Sequence, residues 1–150
     1  MNFEIERKYL LSALPRLPKA LDVLEIDQGY LPGLARLRHQ RSSSGSERFF
    51  RTVKHGVGVQ RLEMEDEIDR AEFEKLWPET RGRRVRKRRH VVANGDDHWE
   101  IDEFLDRSLV LAELEFEDPE SSVTIPDWLT PVLVRDVTDE PAFTNRSLAK

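Results

Sequence analysis

Cysteine is absent from the 150 residues, which excludes disulfides, thiolate catalysis and sulfur-ligated metals. Long apolar runs are missing too. No stretch approaches the roughly 20 apolar residues of a membrane-spanning helix, and the N-terminus lacks the apolar centre of a signal peptide. The expectation is a soluble protein of the cytoplasm with no membrane partner. There is no Gly-x-x-x-x-Gly-Lys segment, so any phosphate must be held in some way other than a P-loop. The four histidines, His39, His55, His90 and His98, form no His-x-x-x-His pair and no recognisable nucleophile arrangement, and read as surface or turn residues. Nor is there a large excess of one charge. A net charge of −5 gives no support to a general nucleic-acid or membrane-surface binder.

What the chain does have is charge of both signs. Charged residues make up 35% of the sequence, against about a quarter in ordinary domains. The length suits one domain, 1–150, with a real core. No internal repeat or linker-like composition shift divides it. Alternating patterns predict strands near 2–10, 26–31, 34–41, 47–55, 59–68, 83–93, 97–104 and 109–117. Ser42-Ser43-Ser44-Gly45, His55-Gly56-Val57-Gly58 and Asn94-Gly95 supply turns between consecutive strands. One helix is predicted from Pro18 to Glu25, where Leu17, Leu21 and Leu24 recur at helical spacing. A second runs from Asp69, as N-cap, to Trp77. Short helices are expected near 127–134 and 144–149. Trp77, Trp99 and Trp128 read as packing of helices on an outer sheet face. The predicted fold is α+β: about eight antiparallel strands in a barrel or strongly curled sheet, with two or three helices packed outside.

Side chains alternate faces along a strand, and that rule sorts the charges into rows. Glu4, Glu6 and Lys8 share one face of the first strand. Glu63, Glu65 and Glu67 share a face, as do Glu113 and Glu115, and Asp102 stands on a third acidic strand. Bases line up in the same way at Arg36 and Arg38, at Lys54 beside Thr52, and at Lys87 and Arg89. Behind several rows the opposite face is apolar, as with Ala35 and Leu37, or Val110, Ala112, Leu114 and Phe116. An ordinary half-solvated sheet would also put charges outside. Whole strands committed to one sign point further, because in a closed sheet the rows converge on one lumen. Like carboxylates enclosed together need a cation, and enclosed Arg and Lys need phosphate or carboxylate. A polyphosphate bridged by divalent cations satisfies both.

These residues, in this order, resemble the CYTH or triphosphate tunnel metalloenzyme superfamily, and its compact bacterial members in particular. The N-terminal Glu4-Ile5-Glu6-Arg7-Lys8 carries the likeness. It continues through Gln28-Gly29-Tyr30-Leu31, Arg36-Leu37-Arg38, Thr52-Val53-Lys54, Glu63-Met64-Glu65 and Lys87-Arg88-Arg89. Trp99-Glu100-Ile101-Asp102-Glu103-Phe104, Ala112-Glu113-Leu114-Glu115-Phe116 and the tail Val137-Thr138-Asp139, Phe143-Thr144-Asn145 and Leu148-Ala149 extend it nearly end to end. The resemblance implies an eight-stranded antiparallel closed β-tunnel with a few helices packed outside, which releases phosphate from inorganic triphosphate with Mg2+ or Mn2+. By position, Glu4, Glu6, Glu113 and Glu115 would hold metal, with Asp102 completing the acidic side. Lys8, Arg36, Arg38, Lys54, Lys87 and Arg89 would clamp phosphates. Glu63 or Glu65 would orient the attacking water, with Lys8 also near the chemistry.

Rival functions for the same tunnel are class IV-type adenylyl cyclisation, hydrolysis of thiamine or nucleoside triphosphates, and non-catalytic polyphosphate binding. Arg81-Gly82-Arg83-Arg84-Val85-Arg86-Lys87-Arg88-Arg89 imitates a nucleic-acid patch, but no aromatic stacking platform is interleaved with it. The partner expected is therefore a small triphosphate and not a nucleic acid, bound by a monomer or homodimer. Some relatives of this kind plug the tunnel with a C-terminal helix; here its basic residue is either missing or replaced by Arg146 or Lys150.

Overall fold

The computed structural model describes residues 2–55, 59–118 and 120–149, with residues 2–4 described by their backbone alone. The predicted turn at His55-Gly56-Val57-Gly58 falls largely outside the described residues, as does Lys150. Among the described residues nine strands form one antiparallel sheet. They are β1 (Asn2–Leu11), β2 (Asp22–Tyr30), β3 (Ala35–Ser42), β4 (Glu47–His55), β5 (Gln60–Ile68), β6 (Arg84–Asn94), β7 (Asp97–Phe104), β8 (Val110–Glu115) and β9 (Leu133–Asp136). The order β5-β4-β3-β2-β6-β7-β8-β1 closes into a barrel because β1 pairs on both sides. Its first residues meet β5, with Glu4 opposite Arg61. Glu6 to Leu11 meet β8. Closure removes both sheet edges, and the short β9 covers the remaining flank of β1 at Tyr9–Leu11.

Charge lies inside this barrel and much of the apolar core lies outside it. Tyr9, Trp99, Ile101, Ala112 and Leu114 face outward and are buried under Leu17, Ile125, Trp128 and Leu129, from the segments flanking β1 and β9. On the opposite wall Leu37 and Phe49 are covered by Phe73. Phe73 comes from helix α1 (Arg70–Leu76), whose N-cap Asp69 accepts from the Glu72 amide at 2.8 Å. Gly29 is required beneath this helix end, since a Cβ there would lie 2.6 Å from Thr80 and 2.9 Å from Trp77. Each buried Leu or Phe contributes roughly 1.5–3 kcal/mol. These outer layers therefore stabilise a wall whose inner face is expensive to desolvate.

A third apolar group, Tyr30, Val85, Phe104, Leu111, Val137 and Ala149, lies inside. Its strand members share parity with the charged rows: Val85 with Lys87, Phe104 with Asp102, Leu111 with Glu113. Phe143 and Leu148 pack against it from the C-terminal segment, which ends in helix α2 (Asn145–Leu148). One end of the barrel is thus filled by the chain's own tail.

Two predicted elements differ. The helix expected from Pro18 to Glu25 is instead an extended stretch leading into β2 at Asp22. Leu17 packs on the outer wall, whereas Leu21 is 60% exposed. Their spacing therefore marks no shared face, and so short a helix cannot offset its nucleation cost without one. The helix expected near 127–134 reduces to a single tight turn at Thr130–Val132 followed by β9. Trp99 is accordingly covered mainly by irregular segments and not by a helix. No helix of the described residues is long and apolar enough to cross a membrane.

Candidate active site

Strand alternation turns the charged rows inward, as their spacing predicts. The result is a cavity of about 230 Å3. Glu6, Arg36, Arg38, Lys54, Glu63, Glu65, Arg89, Glu113 and Glu115 all line it, together with Arg61, Glu100 and Asn145. A second cavity of about 260 Å3 adjoins it and shares Arg36, Lys54, Arg61 and Asn145. Tyr30, Leu34, His55 and Arg146 lie on this outer side. On the β6 strand Lys87 and Arg89 point inward and are buried, while Arg86 pairs outward with Asp27 and Arg88 with Glu25.

Acids and bases of the lumen are largely matched to one another. Arg61 reaches Glu6 at 3.2 Å and Lys54 reaches Glu63 at 3.6 Å. Arg89 lies 3.1 Å from Glu100 and 3.5 Å from Glu113, and Lys8 lies 3.3 Å from Glu113. Thr52 donates to Glu65 at 3.2 Å. The two tunnel arginines of β3 differ. Arg38 is held through Nε by Gln28, a neutral partner, at 3.1 Å. Arg36 is buried and its Nε has no hydrogen-bond partner among the described residues. Burial, then the nearby Arg36 and Arg89 charges, push Arg38 down to about 10.

Behind the cavity sits a tighter cluster. Asp102 is fully buried, and its two oxygens accept from Lys87 at 2.7 Å and from Arg89 at 2.8 and 3.0 Å. Burial alone would raise its pKa, but the Arg89 and Lys87 charges hold it far below the ordinary carboxylate range. Burial outweighs this pairing at Lys87, whose ammonium is pushed down to about 8. Arg89 is held well above its ordinary value, since Asp102 and Glu100 more than offset its burial. Glu113 is likewise pulled down to about 2, with Lys8 and Arg89 overcoming burial.

Three expected site residues therefore stand apart from the open cavity. Asp102, expected among the metal-holding acids, has both oxygens taken by bases and does not line the cavity. Lys87 is turned to Asp102 and to Asn145, 3.1 Å from its Oδ1. Lys8 is spent on Glu113 and on the Phe143 carbonyl, at 3.1 Å. The side chain of Glu4 lies outside the described residues. Arg61, Glu100, Gln28 and Asn145 were not selected from the sequence as site residues. Arg61 and Glu100 each precede a chosen acid by two positions, so alternation already assigned them to the lumen.

Carboxylate oxygens suit a hard divalent cation in kind. Glu6 and Glu115 are direct cross-strand partners on the inner face, a placement of like charges that is destabilising unless a cation intervenes. Among the described residues, however, no three acidic or histidine side chains already converge as a metal site. The donor set fits such an ion, and Glu6 and Glu113 are engaged with the lumen bases Arg61, Lys8 and Arg89.

No family model matches the sequence. An inorganic triphosphatase of Nitrosomonas europaea is 34% identical over 151 residues, spanning 97% of this chain and 96% of that protein. One from Acetivibrio thermocellus is 32% identical, spanning 100% and 95%. A crystal structure of an inorganic triphosphatase superposes with a TM-score of 0.65 at 32% identity, covering 99% of this chain and 95% of that one. A Pyrococcus horikoshii protein, 17% identical with a TM-score of 0.61 over 78% of this chain and 80% of that one, shares the fold.

Proposed function

The chain belongs to the inorganic triphosphatase family, and from that premise we propose that it binds inorganic triphosphate in the inner cavity and releases its terminal phosphate. The observation that carries this reading is Arg36, a buried guanidinium with an orphaned Nε, beside Arg38, whose partner is neutral. Two such cations call for an anion brought from outside. The bases Lys54, Arg61 and Arg89 line the same space, and planar guanidinium forks suit phosphate oxygens. No aromatic ring lines this inner cavity among the described residues, which favours a substrate without a base or heterocycle over nucleotides and thiamine triphosphate. The tunnel and its Glu4-x-Glu6-x-Lys8 strand also support membership of the CYTH superfamily, with residues 1–150 as one domain.

In this reading the arginines hold the triphosphate extended and offset the charge that builds on the leaving pyrophosphate. A water oxygen bonds to the terminal phosphorus as the bridging P–O bond breaks, and orthophosphate and pyrophosphate result. Glu65, with one oxygen fixed by Thr52, has its second oxygen available to orient that water; Glu63 is the alternative. Mg2+ or Mn2+ held by Glu6, Glu113 and Glu115, with Glu4 of the same row, would supply charge neutralisation at phosphate oxygens. Asp102 then acts through others, fixing Lys87 and Arg89, while Lys8 fixes Glu113. Arg36 and Arg38 apart, the lumen bases are paired with lumen acids, so substrate and metal each displace internal ion pairs and make room for the other. Binding of the two should accordingly be synergistic.

The test is phosphate release from triphosphate, ATP and thiamine triphosphate with magnesium, with manganese and with chelator. Preference for triphosphate and loss of turnover in chelator are expected. Equal activity in excess chelator would remove the metal from the account, and absence of triphosphate hydrolysis would remove the function.

A further inference from the structure

Among the described residues that line the inner cavity, Asn145 alone does not come from a barrel strand. It stands where the inner and outer cavities meet. Its place is fixed on both sides. Thr144 caps α2 by accepting from the Ser147 amide at 3.2 Å, and Phe143, Leu148 and Ala149 pack into the apolar end of the lumen. The orientation of its carboxamide follows from chemistry. The Lys87 ammonium only donates, so the atom 3.1 Å from it must be the Asn145 oxygen. The amide nitrogen is therefore turned away from Lys87, and it has no hydrogen-bond partner among the described residues.

We propose that Asn145 is a substrate-binding residue whose Nδ2 donates a hydrogen bond to a phosphate oxygen of bound triphosphate, while its Oδ1 holds Lys87. The proposal rests on the functional reading above and adds to it a residue from the C-terminal segment. A neutral amide suits this position better than another base. It accepts from an ammonium that would repel a cation, and it still offers two donors toward an anion. Through it, docking of the tail becomes part of completing the anion site.

Asn145→Asp separates binding from scaffolding, because the carboxylate keeps an acceptor for Lys87 and loses the donor facing phosphate. Triphosphate binding would be measured by calorimetry in chelator, where turnover is arrested, and again as KM with magnesium. Thermal stability would be recorded alongside. The expected result is a thermal midpoint at or above that of the wild type, with triphosphate binding weakened by about tenfold or more, the scale of one hydrogen bond to a charged group. Asn145→Ala should weaken binding by a similar factor, and it decides the matter if the Asp variant does not fold. Wild-type affinity in either variant would overturn the proposal and leave Asn145 as a scaffold for Lys87. A wild-type protein that takes up no triphosphate under either condition would overturn the functional reading, and this inference with it.

Discussion

Asp102→Asn is the substitution that most sharply divides a metal ligand from a structural counter-ion. In the structure Asp102 is fully buried and bridges Lys87 and Arg89 at 2.7 to 3.0 Å. The amide keeps the shape and removes the charge. Arg89 retains Glu100 and Glu113, but Lys87 is left with neutral partners, the Asn145 oxygen and the new amide, and loses its carboxylate. Removing one partner of a buried ion pair costs about 3–5 kcal/mol. For a chain of this size that lowers the thermal midpoint by about 6–20 °C. The loss should also depend on pH. Lys87 already has a folded pKa of about 8, below its ordinary 10.5. The folded state therefore binds fewer protons than the unfolded one between those values, and stability gains from this group as pH rises. Without Asp102 the folded pKa falls further, so the variant begins to gain at lower pH than the wild type. The gap between the two should narrow from pH 7 to pH 9. Urea unfolding in chelator at both pH values measures it. A metal-ligand role predicts the opposite, since removing one carboxylate from a crowded acidic site relieves repulsion. A variant as stable as the wild type in chelator would refute the clamp.

Glu115→Gln should abolish most turnover while the protein stays folded; phosphate release with magnesium, beside a thermal melt in chelator, checks it. Arg89→Ala should weaken triphosphate binding by roughly 1.5–3 kcal/mol, and Arg88→Ala, which faces outward to Glu25, by no more than roughly 1 kcal/mol. Calorimetric titration of the two variants tests the strand register, and reversal of the order would shift it by one residue. Glu113 is ionised in the folded state down to about pH 2. Its contribution is therefore complete above the unfolded carboxylate range and is lost as pH falls through that range toward 2. Glu113→Gln should flatten this part of the acid-denaturation profile.

Most of the barrel was legible because charge and apolarity alternate so strictly. Thr52-Val53-Lys54 and Ala112-Glu113-Leu114-Glu115 each declare an inner and an outer face, and β4 and β7 run over the residues expected of them. The same periodicity misled at Leu17, Leu21 and Leu24, where spacing alone does not say which leucines share a neighbour. Depth was the other blind spot. Alternation puts Asp102 and Glu113 on the same inner surface but cannot say that one is sealed between two bases while the other borders open space. Arg61 shares the parity of Glu63, yet its sign interrupts an acidic row, so the row pattern alone gives it no role. Asn145 was legible only as part of the tail motif Phe143-Thr144-Asn145, and its contact with Lys87 depends on the tail folding back into the lumen.

The central claim is that triphosphate lies in the inner cavity against Arg36 and Arg38. A crystal structure of the protein with manganese and inorganic triphosphate, phased to locate the metal by its anomalous signal, tests it most directly. The expected result is phosphate density in contact with both arginines and the manganese signal among Glu6, Glu113 and Glu115. Triphosphate ordered elsewhere on the molecule, with this cavity still closed by its own ion pairs, would contradict it.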